Sequence, residues 1–137
     1  YLFAGKPDAG KSTIVTLSRG REILSDEHSL VRREQGAWYV YPSPFWSDFV
    51  PGKHLSARTR IPLAGVYVLC KSDETYCRPI RSFARKANLF HSNVFFLPGV
   101  SSMAERAFLL EAALLEEIPV SLLYFSRTAA LWENGAL

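Results

Sequence analysis

The chain has 137 residues, of which 48% are hydrophobic, 21% charged and 13% aromatic, a length and composition that suit one compact domain and exclude intrinsic disorder. Its 16 Lys and Arg residues against 13 Asp and Glu give a net charge of +3, a mild excess that suits an anionic ligand but falls short of the basic stripe of a nucleic-acid binder. No apolar run approaches the roughly 18 residues that a membrane-spanning helix needs, so neither nucleic acid nor membrane is expected as a partner.

Residues 1–4, Tyr-Leu-Phe-Ala, read as the end of a strand, and with no Met ahead of them the expectation is that strands precede Tyr1 in the natural chain. Gly5-Lys6-Pro7-Asp8-Ala9-Gly10 then concentrates turn residues in one short loop. Ile14, Val15 and Leu17 predict a short helix over 11–19, with Gly20 placed to end it. Ile23-Leu24 predicts a second short strand that runs into Ser25-Asp26-Glu27, and residues 29–33 and 37–41 predict a β-hairpin around Glu34-Gln35-Gly36.

Residues 42–60 hold Pro42, Pro44, Pro51 and Gly52 with Phe45, Trp46 and Phe49 among them, which predicts a long loop carrying aromatic side chains. The β-branched and aromatic content of 63–70 predicts a strand, and Lys71-Ser72-Asp73-Glu74 a polar turn. Ile80, Phe83, Ala84, Ala87 and either Phe90 or His91 fall on one side of a helix over 80–90. The pair Ser102 and Glu105 has the spacing of a capping box, Met103, Ala107, Leu110, Leu114 and Ile118 recur at helical spacing, and Pro119 stops the run. Residues 120–125 read as a buried strand and 129–133 as a last short helix, so the order of elements predicts an α/β fold with a mixed sheet. Cys70 and Cys77 have neither the CxxC spacing of a zinc site nor the numbers of a disulfide framework, which fits a reduced, cytoplasmic setting.

The segment Gly5-Lys6-Pro7-Asp8-Ala9-Gly10-Lys11-Ser12 matches the phosphate-loop pattern G-x-x-x-x-G-K-[ST], and it lies between a predicted strand and a predicted helix as that motif requires. Glycines let the backbone curl so that successive N–H groups point at phosphate oxygens, and the start of the following helix adds partial positive charge. Lys11 would reach the β- and γ-phosphates, and the Ser12 hydroxyl, with Thr13 behind it, would ligate Mg²⁺. The bland reading is a glycine-rich turn with an incidental lysine. Asp8 is a carboxylate within this anion cradle, a position that its tolerance of left-handed backbone permits.

Phosphoryl transfer also needs a carboxylate for metal and a group to take the nucleophile's proton. Asp26 and Glu27 are the candidates, because the end of a strand neighbouring the first one faces the same crevice as the loop; alone, the pair would be an ordinary acidic turn. Phe45 and Trp46 are either a wall of an acceptor site or aromatics that cap the sheet. Arg58 and Arg60 either clamp a transferred phosphoryl group or are solvated. His28, His54 and His91 lack metal-ligand spacing, and Arg78, Arg81, Arg85 and Lys86 make a basic face expected to be wet.

Taken together, the GKST loop, Leu24-Ser25-Asp26-Glu27, the hairpin ending near Tyr41 and Ser43-Pro44-Phe45-Trp46 resemble the HPr kinase/phosphorylase family, whose fold is a phosphoenolpyruvate carboxykinase-like P-loop domain. Members commonly show G-P-S-G-A-G-K-S-T, then L-S-D-D, then T-P-F-W or T-P-W-H. Here Asp8 stands in place of the usual glycine and Glu27 in place of the usual aspartate. The resemblance covers residues 1–70 with motifs and 80–134 by pattern. It implies transfer of the γ-phosphoryl group of ATP to a serine of a protein or peptide with Mg²⁺, with Gly5 to Thr13 holding the phosphates, Lys11 and Ser12 on phosphate and metal, Asp26 orienting or deprotonating the serine, and Glu27 on Mg²⁺. Members assemble into oligomers, which leaves an oligomer open here. The alternative expectation is a module that binds ATP for sensing or assembly without transfer. A small-molecule kinase fits less well, because those enzymes usually alternate helices and parallel strands directly after the loop.

Overall fold

The computed structural model describes residues 1–18, 20–46, 59–94, 101–127 and 131–132. In chain order the elements are β1 (Leu2–Ala4), α1 (Lys11–Leu17), β2 (Leu30–Glu34), β3 (Ala37–Tyr41), β4 (Ile61–Pro62), β5 (Val66–Lys71), β6 (Tyr76–Pro79), α2 (Phe83–Phe90) with a 3-10 turn at His91–Asn93, α3 (Ser101–Glu117) and β7 (Val120–Phe125). They form a mixed α/β structure with two sheets. A four-stranded sheet runs β1-β5-β7-β6, parallel except for the antiparallel edge strand β6, and a three-stranded antiparallel sheet runs β2-β3-β4. No helix among the described residues is long and apolar enough to cross a membrane.

Residues of β5 and β7 are buried on both faces, as the central strands of a covered parallel sheet must be. The pleat sends Val66 and Val68 of β5, with their register partners Val120 and Leu122 of β7, into one core that they share with Trp38, Val40, Phe90, Leu114 and Leu115. That core joins the larger sheet to the small sheet, α2 and α3. The alternate residues Leu69, Leu123 and Phe125 face the other way and pack with Ile14 of α1 and Leu131. The larger sheet is therefore a middle layer, and among the described residues α1 is the helix on the face reached by the loop between β1 and α1.

The hairpin forms as its sequence predicts. Gln35 and Gly36 both have positive φ, 51° and 82°, the requirement of a tight two-residue turn whose twist matches the strands. Trp38 of β3 is buried and donates from Nε1 to Glu117 Oε2 of α3 at 2.8 Å, and Arg33 Nη2 reaches Glu117 Oε1 at 2.6 Å. One carboxylate thus pins the small sheet to the end of α3.

Several elements differ from expectation. Ile23-Leu24 is not a strand; the Leu24 carbonyl accepts from the Ser43 N–H at 3.1 Å, which ties this segment to the chain after β3. The strand expected over 63–70 is Val66–Lys71, because the Leu63 N–H is taken by the Trp38 carbonyl at 2.9 Å and Ile61–Pro62 pairs with β3. The strand β6 has no counterpart in the sequence reading, which places a helix from Ile80; the Ile80 N–H bonds to the Val120 carbonyl at 2.8 Å, and α2 begins only after Ser82, whose hydroxyl caps the Arg85 N–H. Residues 101 and 102 are already helical, so Ser102 lies in the first turn of α3 and is not its cap. Leu131 and Trp132 lie in a turn, and the rest of the helix expected over 129–133 lies outside the described residues, as do most of the 42–60 loop, His54 and Arg58. Lys86 is not simply wet, since its Nζ donates to the Leu115 carbonyl at 2.6 Å, in the last turn of α3.

Candidate functional site

Two glycines shape the loop between β1 and α1. A Cβ on Gly5 would lie 2.7 Å from the Ala9 Cβ, so Gly5 lets the loop fold back over the strand end. Gly10 has φ 103°, and a Cβ there would meet the Phe125 ring at 2.7 Å, so the turn into α1 sits directly against the end of β7. Asp8 also takes left-handed backbone, φ 63°, and the Ala9 N–H closes the turn onto the Lys6 carbonyl at 3.1 Å. The first helical bond runs from the Ile14 N–H to the Gly10 carbonyl at 3.0 Å, and the buried Ile14 anchors α1 to the sheet.

Lys11 folds back over the loop. Its Nζ donates to the Gly5 carbonyl at 3.1 Å and the Lys6 carbonyl at 3.2 Å. This holds the ammonium at the mouth of the loop, beside the end of β1.

Two concavities meet at Lys11. One is an open cleft of about 760 Å³ lined by Asp8, Gly10, Lys11, Ser12 and Thr13 on the loop side, and by Lys71, Ser72, Asp73, Ser126 and Arg127 from the ends of β5 and β7. It lies at the C-terminal ends of parallel strands, where ligands of open α/β sheets bind. The other is a cavity of about 300 Å³ between β1, α1 and residues 21–29, lined among others by Phe3, Lys11, Arg21, Asp26, Glu27 and Trp132. Its aromatic side is built by Trp132, over which Arg21 lies at 4.1 Å and on which Tyr1 stacks.

This division separates residues that sequence reasoning joins. Asp26 and Glu27 share a cavity with Lys11, whereas Ser12, proposed with Glu27 as a metal ligand, lines the cleft and not that cavity. The carboxylates on the Ser12 side are Asp8 and Asp73. Asp73 stands directly after β5 in a turn fixed by the Ser72 N–H bonded to the Phe125 carbonyl at 3.0 Å and by the Ser72 hydroxyl accepting from the Glu74 N–H at 3.2 Å. The sequence carries a signal for it, since Ser72-Asp73-Glu74 follows an apolar run as Ser25-Asp26-Glu27 follows Ile23-Leu24, but alone it predicts a polar turn. Arg127 carries no such signal.

Arg60 belongs to another network. Its Nη1 contacts Glu34 Oε2 at 2.6 Å, the guanidinium lies 4.6 Å from the Tyr39 ring centre, and Tyr41 Oη donates to Glu34 Oε1 at 2.6 Å. Arg60 lines neither concavity, and its contacts are with residues of the small sheet. The Tyr41 hydrogen bond, and then Arg60, hold the Glu34 carboxyl below its ordinary range, while the same contact with Glu34 pushes the Tyr41 phenol up. Phe45 is 55% exposed and meets the His28 ring edge-on at 5.8 Å, so it does not cap the sheet; neither Phe45 nor Trp46 lines the two concavities. No group of three or more His, Cys, Asp and Glu residues converges on a point among the described residues. Neither Cys70 nor Cys77 is in a disulfide, and burial pushes the pKa of both thiols up. Comparison with family models, curated proteins and solved structures gives no match, so the chemistry rests on these residues.

Proposed function

We propose that this chain is an ATP- and Mg²⁺-dependent kinase domain of the HPr kinase type, which transfers the γ-phosphoryl group to a serine of a protein or peptide. The observation that carries the reading is Lys11, a phosphate-loop lysine held where a cleft suited to phosphates meets a cavity that contains a carboxylate pair. In this reading the loop from Gly5 to Thr13 is a P-loop, and its N–H groups hold the phosphates in the cleft. Lys11 exchanges its contacts with the Gly5 and Lys6 carbonyls for phosphate oxygens, which are stronger partners because both groups are charged.

The acceptor side chain enters the cavity next to Asp26. Its hydroxyl oxygen attacks the γ-phosphorus, its proton passes to the Asp26 carboxylate, and the bond from the γ-phosphorus to the bridging oxygen breaks, so that ADP leaves with that oxygen. Charge builds on the transferred group beside Lys11, which is bound more tightly there than in the ground state. Mg²⁺, when bound, would neutralise phosphate charge. Ser12 and Asp73 would hold that ion, a change from what the resemblance implies, because a hydroxyl and a carboxylate are hard oxygen donors and both line the cleft, whereas Glu27 lines the cavity.

The test is to supply labelled ATP and Mg²⁺ with serine-containing proteins and peptides and to look for phosphoserine. Label on serine that requires Lys11 supports the kinase. Tight ATP binding with no transfer to any acceptor favours instead a module that binds nucleotide for sensing or assembly.

A further inference from the structure

We infer that Lys71 and Arg127, at the ends of β5 and β7, are phosphate-binding side chains that complete the anion site opposite the loop. The inference rests on the phosphate-loop reading of Gly5 to Ser12 and extends it to residues outside that motif.

The placement is fixed by a chain of contacts. Gly10 packs against the Phe125 ring, the Phe125 carbonyl accepts from the Ser72 N–H at 3.0 Å, and Lys71 is paired in register with Phe125. The end of β5 and the start of the segment after β7 therefore face the loop across one cleft, and both cations line it. Each is exposed, and among the described residues neither is held in an ion pair.

Charge decides what the cleft can hold. Of the side chains that line the cleft, Lys11 alone would face two carboxylates, Asp8 and Asp73, and the Asp73 charge is offset only where it holds Mg²⁺. Lys71 and Arg127 raise the count to three cations against two carboxylates. They also offset Asp8, which puts a negative charge within the loop itself. Arg127 can grip two phosphate oxygens through its planar fork, while Lys71 acts as a compact point charge. The ligand so recognised is the polyphosphate tail of a nucleotide.

Titration of Mg²⁺·ATP by calorimetry tests the inference. Lys71→Ala and Arg127→Ala are each expected to weaken binding roughly ten-fold, Arg127→Lys to fall between Arg127→Ala and the unaltered chain, and Arg85→Ala on α2 to leave binding unchanged. Both side chains are exposed, so equal thermal unfolding midpoints are expected and confirm that the fold is intact. ATP binding that depends on Lys11 but is unchanged in Lys71→Ala or in Arg127→Ala overturns the inference alone. No ATP binding by the unaltered chain, or binding indifferent to Lys11→Ala, overturns the phosphate-loop reading and this inference with it.

Discussion

The Lys11 ammonium lies 3.1 Å from the carbonyl oxygen of Gly5, so this side chain is folded over the mouth of the loop between β1 and α1. This pre-positioning lowers the ordering cost of binding an anion there, since the lysine need only swap acceptors. Lys11→Ala removes both the charge and that preparation. Triphosphate affinity is expected to fall at least about 100-fold in a calorimetric titration, with little loss of stability because the contacts are partly exposed.

Gly10 and Gly20 both have positive φ, 103° and 88°, but only Gly10 has a neighbour, the Phe125 ring, that a Cβ would strike. Gly20→Ala is therefore expected to cost about 1 kcal/mol from backbone conformation alone. Gly10→Ala adds the displacement of a buried ring and is expected to cost about 2–4 kcal/mol. Urea unfolding of the two variants measures the difference.

Glu117 is the hinge between the small sheet and α3. Glu117→Ala leaves the Trp38 N–H in a buried position without its acceptor, expected to cost about 1–3 kcal/mol. Arg33→Ala breaks only a half-exposed ion pair and is expected to cost about 1 kcal/mol or less. Chemical denaturation that ranks Arg33→Ala above Glu117→Ala would contradict this account of the junction.

Acid affects the small sheet through Glu34. Its folded pKa is depressed below the ordinary 4.5, so the carboxylate contributes stability that is present above that value and is lost as the pH falls through the lower, folded one. Glu34→Gln is expected to flatten this part of the acid limb when unfolding midpoints are followed below pH 5. At the alkaline end, the raised Tyr41 pKa makes ionisation less favourable in the folded chain, so stability declines as the pH rises above 10.

How much of this could be read from the residues alone varies with the kind of signal. The hairpin was legible because Gln35-Gly36 has a turn chemistry that few other structures use, and β7 was legible as a short apolar run after Pro119. The edge strand β6 was not, because Tyr-Cys-Arg-Pro is largely exposed and lacks the alternation of a buried strand; it pairs with β7 as an edge that Pro79 can end. Along α3 the periodicity put Leu110 inward. The structure leaves Leu110 45% exposed and buries Glu111, whose carboxylate meets His91 Nδ1 at 2.9 Å, a partner 20 residues away that no local pattern reveals. The G-x-x-x-x-G-K-S match is legible as a motif, and the Asp26-Glu27 pair as a neighbour of Lys11. The grouping of Asp73 and Arg127 with Ser12 is not, since it depends on strand order β1-β5-β7.

That grouping yields a prediction about metal. With Mn²⁺ in place of Mg²⁺ and its spectroscopic signal as the readout, Asp73→Asn is expected to weaken the ternary complex with ATP about ten-fold or more. Glu27→Gln is expected to leave it unchanged, and the reverse ranking would return the metal to the Glu27 side.

Attack by a hydroxyl in the Asp26 cavity on a phosphate held across Lys11 is tested by the rate of serine phosphorylation by Asp26→Asn at saturating ATP. The account predicts a loss of about 10²–10⁴-fold in that rate with ATP affinity retained. An unchanged rate, or a slower rate that is explained by lost ATP affinity, would contradict it.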